Sequence, residues 1–473
     1  MKGMHNGLKA SGAARKQGTK TPEAMVPIAL EDSKAVAQFV AWLRHSAPYI
    51  HAFGGKTFVV AFDGEVAQGE RMQRLAYDCN LLAALGIRLV LVHGARPQID
   101  AEMARRGLTP QFHRGLRVTD AEALECVKAA QMVTRLEIEA KLSQGLPNTP
   151  MAGSFMRITG GNYLVARPLG VIEGVDYLYT GAVRKVIADE IEADLEQENV
   201  VLISPIAASP SGEIFNLSME EVAAEVAVAL HAEKLIFLCD APGIPTPEGE
   251  GVMASVTVTE AQQRLDEAGA TFSEDLRAYL PYAIDAVRRG VRRAHLIARD
   301  LDGAILLECF THSGVGTMIT RNPVFRYRDA TSEDVPALIA LIAPMEADGT
   351  LVRRNRELLE QEITRFILVE HDGVVVGSAA LYPFSEERAG ELACLAVAPE
   401  YRRAGIGEEL LRRIEARARA AGLEKLYVLT TRTAHWFLER GFVEVSVDAL
   451  PKQKRELYNY QRRSKVFVKT LTQ

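Results

Sequence analysis

Five short apolar runs constrain this chain more than any other feature: Thr57–Phe62, Arg88–Val92, Val200–Ile203, Leu235–Leu238 and Ala294–Ile297. Each is rich in Val, Ile and Leu and shows no polar alternation. A strand of that kind has no face to give to water, so the runs read as strands of a parallel sheet covered on both sides. Helical periods lie between them, over Arg71–Leu85, closed by Gly86, and over Gln98–Arg106. A further helical pattern, Glu31–Ile50, precedes the first strand and carries Val36, Phe39, Val40 and Leu43. Strand–helix alternation predicts an αβα sandwich with a mainly parallel sheet.

The period changes near Phe325, where Pro323 and the charge-rich Arg326–Arg328 mark a join. Helices are predicted over Val335–Ala343 and Leu358–Ile363. A hairpin follows, Ile367–Glu370 and Val374–Ala380, around the Asp372-Gly373 turn. Then come strand Gly390–Val397, helix Gly407–Ala420, strand Lys425–Thr430, helix His435–Arg440 and a last strand at Val466–Val468. A chain of 473 residues is too long for one ordinary core at roughly 100–200 residues per domain. The division expected is a disordered basic tail over residues 1–28, a first unit over 29–322 and a second α/β unit over 326–473.

Composition narrows the class. With 48% hydrophobic and 25% charged residues and a net charge of −6, the chain reads as globular and soluble, without a nucleic-acid partner. Cys79, Cys126, Cys239, Cys309 and Cys394 sit singly in apolar runs, which fits a reducing compartment with neither disulfides nor a metal site. No apolar run approaches the ~20 residues of a membrane span. Lys2, Lys9, Arg15, Lys16 and Lys20 precede the first acid, Glu23, but no apolar segment accompanies them as in a secretory signal. A cytoplasmic protein is expected.

The most specific local pattern is Arg402-Arg403-Ala404-Gly405-Ile406-Gly407, which leads from a strand into a helix. Glycines there let backbone approach a ligand, and a helix N-terminus adds N–H groups and a positive dipole end, as a pyrophosphate requires. The segment resembles the R-x-x-G-x-G acetyl-CoA loop of the GCN5-related N-acetyltransferase superfamily. That resemblance implies acetyl-CoA as cosubstrate, held by the loop and by backbone at Leu395 and Val397. It also implies an oxyanion-binding N–H from the strand Glu391–Val397. A base near the start of that strand must take the acceptor's proton, and Glu391 is so placed. Thr430 is the candidate to hold or protonate the departing thiolate, with Tyr458 and Tyr460 as rivals.

The resemblance extends further. Leu351-Val352-Arg353-Arg354, Leu429-Thr430-Thr431-Arg432, His435–Phe442 and Leu457–Lys465 closely resemble the bacterial N-acetylglutamate synthases, from about Ala41 to the end. It implies acetyl transfer to the α-amine of L-glutamate, the first step of arginine biosynthesis. Arg354, Arg462 and Ser464 would then hold the carboxylates, with backbone at Cys394 and Leu429. The charge logic stands by itself: a dicarboxylate needs cationic partners, and arginine offers a bidentate fork.

In the first unit, Leu91-Val92-His93-Gly94-Ala95-Arg96-Pro97-Gln98-Ile99, Ala232–Leu238 and Pro242-Gly243-Ile244 resemble the amino acid kinase family. Its catalytic lysines are replaced: Ala61 stands at the first position, Tyr279 near the second, and Asn216–Glu220 replaces its N-x-N-A-D. Phosphoryl transfer depends on such positioned charge, so no ATP turnover is expected. The family's arginine-sensitive members bind L-arginine beside an N-terminal helix. The resemblance implies His45 and Tyr49 on that helix, Lys234 at the ligand carboxylate, Glu308 at its guanidinium, and Gly314 and Gly316 at the rim. It further implies feedback inhibition by L-arginine and a homo-oligomer. A bifunctional synthase–kinase and an arginine sensor that acetylates protein lysines are the competing readings.

Overall fold

The computed structural model describes residues 33–247, 249, 251–311, 314–323, 325–371, 373–402, 405–456 and 464–471. The basic tail, His312, Ser313, Arg403, Ala404, Tyr458, Tyr460 and Arg462 lie outside the described residues.

The first unit is an αβα sandwich. Its eight-stranded sheet runs in the order Ser255–Thr257, Thr317–Thr320, Arg293–Ala298, Lys234–Cys239, Thr57–Phe62, Arg88–His93, Val200–Ile203, Ile158–Thr159. Six strands run parallel to one another; Thr317–Thr320 runs antiparallel to Arg293–Ala298, and the edge strand Ser255–Thr257, parallel to Thr317–Thr320, shares its direction. Alternate residues of one strand enter different cores: Val59 and Ala61 join one, Phe58, Val60 and Phe62 the other. That is why these runs are apolar throughout.

Two parts of this unit are not foreshadowed by the apolar runs. A helix at Ala121–Leu142 is capped by Asp120, whose carboxylate accepts from the Ala123 N–H at 2.8 Å. Its apolar residues are spread around the axis, and Met132, Val133 and Leu136 are exposed. A second, four-stranded sheet is built from Ile214–Asn216, Ile206–Ala208, Leu164–Pro168 and Gly181–Val186.

The second unit has a seven-stranded sheet in the order Phe325–Asp329, Phe366–His371, Val374–Phe384, Ala389–Val397, Lys425–Thr430, Lys465–Thr470, Val443–Val445. The charged join is therefore an edge strand, its Arg326 and Arg328 paired in register with Glu370 and Leu368. All pairings are antiparallel except Ala389–Val397 with Lys425–Thr430. That parallel pairing ends at Leu392–Val428. The helix Ile406–Ala420 buries Leu410, Ile414 and Ala418 against one face, and Val335–Ala347 packs on the other. Among the described residues no helix is long and apolar enough to cross a membrane.

The first unit also buries charge. The Lys234 ammonium donates to His295 Nε2 at 3.0 Å, and His295 Nδ1 lies 2.7 Å from a Glu308 carboxylate oxygen. The other Glu308 oxygen accepts from the N–H groups of Val315 and Gly316, at 2.7 and 3.0 Å. A neutral imidazole with its proton on Nδ1 satisfies both neighbours. Burial pushes His295 down to about 4, and the Lys234 charge acts in the same direction. Burial likewise lowers the Lys234 ammonium. At Glu308 burial works upward, but the hydrogen bonds from His295, Val315 and Gly316 outweigh it and hold the carboxyl below its usual range.

A histidine buried neutral must take up a proton on unfolding once the pH is below 6.5, its unfolded value. Its contribution is intact above that pH and is lost as pH falls toward about 4. His93, 0% exposed and likewise pushed down to about 4 by burial, adds to the same window. We predict that stability declines between pH 6.5 and 4 by roughly 3 kcal/mol per buried histidine. Urea denaturation of His295→Asn across that window should show a shallower decline; an unchanged slope would contradict the assignment.

Candidate active site

The strand Ala389–Val397 is bulged. Its partner Val374–Phe384 pairs Ala380 with Ala393 but Ser378 with Ala396, so the register shifts between them. Cys394, at the bulge, has a φ of +49°, unusual for a residue with a Cβ and costing about 1–3 kcal/mol. The buried Ser378 hydroxyl donates to the Cys394 carbonyl at 3.1 Å and fixes that turn of the backbone. The bulge lies just past the end of the parallel pairing, so the edge of Ala393–Val397 that faces Lys425–Thr430 carries no ladder pairs. Leu395 and Val397 are half-buried there. Such a free edge can present N–H groups to a carbonyl oxygen.

The strand runs into a tight turn at Pro399–Tyr401 and then the exposed Arg402. Gly405 has a φ of +72° and precedes the 15-residue helix that begins at Ile406. Glycine fits that left-handed conformation without a Cβ clash. A Cβ at Gly407 would lie 3.5 Å from the Trp436 ring. The geometry is a helix N-terminus with open backbone donors, suited to an anion such as pyrophosphate.

At the other end of the bulged strand, Glu391 is 7% exposed. One of its oxygens accepts from the Lys454 ammonium at 2.7 Å. Tyr382 is paired directly opposite Glu391, and its hydroxyl donates to Glu362 at 2.7 Å. Arg354 is half-buried beside Cys394, Tyr382 and Glu391; burial would lower its pKa, but these groups outweigh it and raise it. Its backbone N–H donates to Glu346 at 3.0 Å. Arg354, Glu391 and Cys394 thus come together at one end of the strand.

On the neighbouring strand Leu429 is paired with Val466 and Thr430 with Lys465, immediately beside the buried Ser464. The Thr430 hydroxyl lies 2.8 Å from that of Thr433 and accepts from the N–H groups of Arg432 and Thr433 at 3.3 and 3.1 Å. It closes the turn after the strand, and its remaining proton is available to Thr433 or to a ligand.

In the first unit Lys234 and Glu308 face each other through His295, a link that no local motif announces. Tyr49 sits on the helix Ser33–Phe53 and stacks near Phe53, whose ring lies 4.9 Å from the Lys234 ammonium. His45, on the same helix, is exposed. Ser46 ties this helix to the Phe310 carbonyl at 3.3 Å. Gly314 has a φ of +59°, and a Cβ there would collide with the Glu308 carboxylate; one at Gly316 would collide with the Leu296 carbonyl.

The carboxyl ends of the central strands are closed off differently. Arg299 forms ion pairs with Asp63, Glu65 and Asp275, the last two at 2.8 and 2.9 Å. Ala61 lies fully buried within its strand, and Tyr279 stacks on Phe237 at 5.2 Å. Ser378, Tyr382, Lys454 and His295 were not singled out by sequence reasoning. Each owes its place to strand register or to a distant helix; only Tyr382 could have been found, by pairing the hairpin strand with Glu391.

The chain resembles known proteins over nearly its full length. Residues 56–298 match the Amino acid kinase family, and residues 336–442 the Acetyltransferase (GNAT) family. An amino-acid acetyltransferase of Ralstonia nicotianae is 51% identical over 434 residues, 92% of this chain and 96% of its own. One from Azotobacter vinelandii is 49% identical, covering 92% and 99%. The crystal structure of N-acetylglutamate synthase from Neisseria gonorrhoeae complexed with coenzyme A and L-arginine is 40% identical, with a TM-score of 0.79 over 92% of this chain and 100% of that one. The same Neisseria enzyme complexed with coenzyme A and N-acetyl-glutamate matches at the same identity and coverage with a TM-score of 0.58. With about half its residues shared with such relatives over nearly its whole length, this chain belongs to the amino-acid acetyltransferase family, an amino acid kinase family unit followed by a GNAT family unit.

Proposed function

We propose that the enzyme transfers acetyl from acetyl-CoA to the α-amine of L-glutamate, and that L-arginine bound in the first unit inhibits it. The observation that carries the first half is the buried Glu391, which already holds an ammonium group at 2.7 Å beside the Arg354 guanidinium. An amine to be acetylated needs a carboxylate to take its proton. A dicarboxylic acceptor needs cations for its acid groups.

The residues divide the work. Gly405, Ile406 and Gly407 offer the helix N-terminus to the pyrophosphate, with Arg402 alongside. Backbone N–H groups of the bulged strand hold the thioester carbonyl oxygen and stabilise the charge that develops on it. Glu391 accepts the proton of the α-ammonium, through a water or directly. Arg354 and Ser464 seat the carboxylates, with Arg462 as the second cation and backbone at Cys394 and Leu429 completing the grip. Thr430 orients or protonates the leaving thiolate. The Neisseria complex with coenzyme A and N-acetyl-glutamate, the two products of this transfer, supports the reading.

The second half rests on the Lys234–His295–Glu308 chain. An amino acid with a cationic side chain offers a carboxylate to Lys234 and a guanidinium to Glu308, each desolvated and therefore strongly attracted. The N-terminal helix, through Tyr49 and His45, forms one wall, and Gly314 and Gly316 the rim. The Neisseria enzyme, 40% identical, is complexed with L-arginine in the structure that matches with a TM-score of 0.79, which supports an arginine site in this chain. End-product inhibition would suit the first step of arginine biosynthesis, carried out in the cytoplasm. The exposed Met132, Val133 and Leu136 on the helix Ala121–Leu142 fit a homo-oligomer joined through the first unit.

Three outcomes are expected. CoA release from acetyl-CoA should depend on glutamate and not on aspartate, ornithine or lysine; no release with glutamate ends the proposal. Glu391→Gln should lower kcat by about 10²–10⁴, whereas Arg354→Ala should act mainly on the glutamate KM and leave that for acetyl-CoA nearly unchanged. L-Arginine should inhibit by roughly 5–150-fold, and Lys234→Met or Glu308→Gln should abolish that inhibition without lowering uninhibited turnover. Inhibition that survives both changes would place the effector elsewhere.

A further inference from the structure

The Lys454 ammonium sits against Glu391, at 2.7 Å, where the acceptor's ammonium is needed. Lys454 belongs to the short helix Lys452–Glu456. That helix is fixed to the sheet unit by the Lys452 N–H, which donates to Glu387 at 2.9 Å. Two other lysines of this unit are engaged elsewhere: Lys465 with Glu444 at 3.0 Å and Lys469 with Glu415 at 2.6 Å. Lys454 is half-buried, its side chain 25% exposed, against 9% for the side chain of Glu391. The pair is therefore not an ordinary surface contact between two solvated groups. Nζ of lysine and the α-nitrogen of an amino acid are the same functional group, a primary ammonium.

We propose that Lys454 holds the acceptor-amine position when glutamate is absent and is itself acetylated there by bound acetyl-CoA. The inference rests on the reading of Glu391 as the base. Glu391 removes one proton from the ammonium. The freed Nζ lone pair attacks the thioester carbonyl carbon, and an N–C bond forms as the C–S bond breaks. The second nitrogen proton goes to the departing thiolate. The products are Nε-acetyl-Lys454, CoA as the thiol, and one proton delivered to solvent through Glu391. No oxidant or further reactant is needed. Acetylation removes the charge that Glu391 holds, so the modified side chain no longer competes for the base. Glutamate, by occupying the position first, protects the lysine.

The test uses the full-length protein with acetyl-CoA alone, and peptide mass spectrometry over time. Lys454 should gain one acetyl group well before the exposed Lys452 two residues away. Glutamate at about ten times its KM should slow this roughly tenfold by occupancy. Glu391→Gln should slow it too, and Lys454→Arg should leave no acetylation in that peptide beyond Lys452, because a guanidinium keeps its charge and its proton. Acetylation of Lys454 no faster than Lys452, or a rate indifferent to glutamate, overturns the proposal. Glutamate-dependent CoA release is measured on the same sample. Release with an unmodified Lys454 overturns this inference alone, whereas neither release nor modification overturns the assignment of Glu391 as well.

Discussion

The second unit is organised by where one parallel strand pairing stops. Ala389–Leu392 pairs with Lys425–Val428, and beyond it the two strands share no ladder bonds. Backbone donors cannot be left idle in a protein interior, because each costs free energy when it loses water without a partner. The bulge at Cys394, the Ser378 hydroxyl on its carbonyl and the turn into the Gly405 helix all follow from managing that opening. The edge left without ladder pairs is the one the proposed chemistry uses. Glu391 lies at the last turn of ordinary pairing, where a carboxylate is buried and still reachable.

The first unit meets a related problem with charge in place of backbone. Lys234, His295 and Glu308 bring a cation, a neutral relay and an anion into an apolar sheet, and the sum is close to neutral. Removing one member would strand the others, the costly case for buried ions. Across the sheet, Arg299 pairs with Asp63, Glu65 and Asp275 at the carboxyl ends of the central strands. A crevice that accommodates ligands in many parallel α/β sheets is here cross-tied by the protein's own ion pairs. The two polar clusters of one sheet thus have different characters: one cross-ties the strand ends, and the other is the cation–anion pair proposed to receive a zwitterionic ligand.

Much of the architecture could be read from the sequence where burial dictates composition. Thr57–Phe62, Val200–Ile203 and Lys425–Thr430 have the bounds expected, because strands buried on both faces permit few polar residues. The Gly405 turn announced itself through a conformation that glycine adopts most readily. The helix Ala121–Leu142 did not, since its apolar residues circle the axis and several face outward. The four-stranded sheet escaped notice because its strands are short and interrupted by Arg167 and Lys185. Around the candidate site, motif residues were visible, but Ser378, Tyr382 and Lys454 were not. Their positions depend on the register between strands and on a helix more than sixty residues from Glu391 in sequence, distances that no local pattern spans.

Gly316 has a consequence of a different kind. Its backbone N–H holds Glu308, and no side chain fits beneath the Leu296 carbonyl. Glu391, Arg354 and Thr430, the residues proposed for acetyl transfer, lie in the other unit and share no atoms with this rim. Heritable variation can therefore reach the two properties separately. A lineage that alters Gly316 would lose the backbone shape around Glu308 while its transferase unit kept an unchanged sequence, so the proposed control and the catalysis would be free to evolve at different rates within one polypeptide.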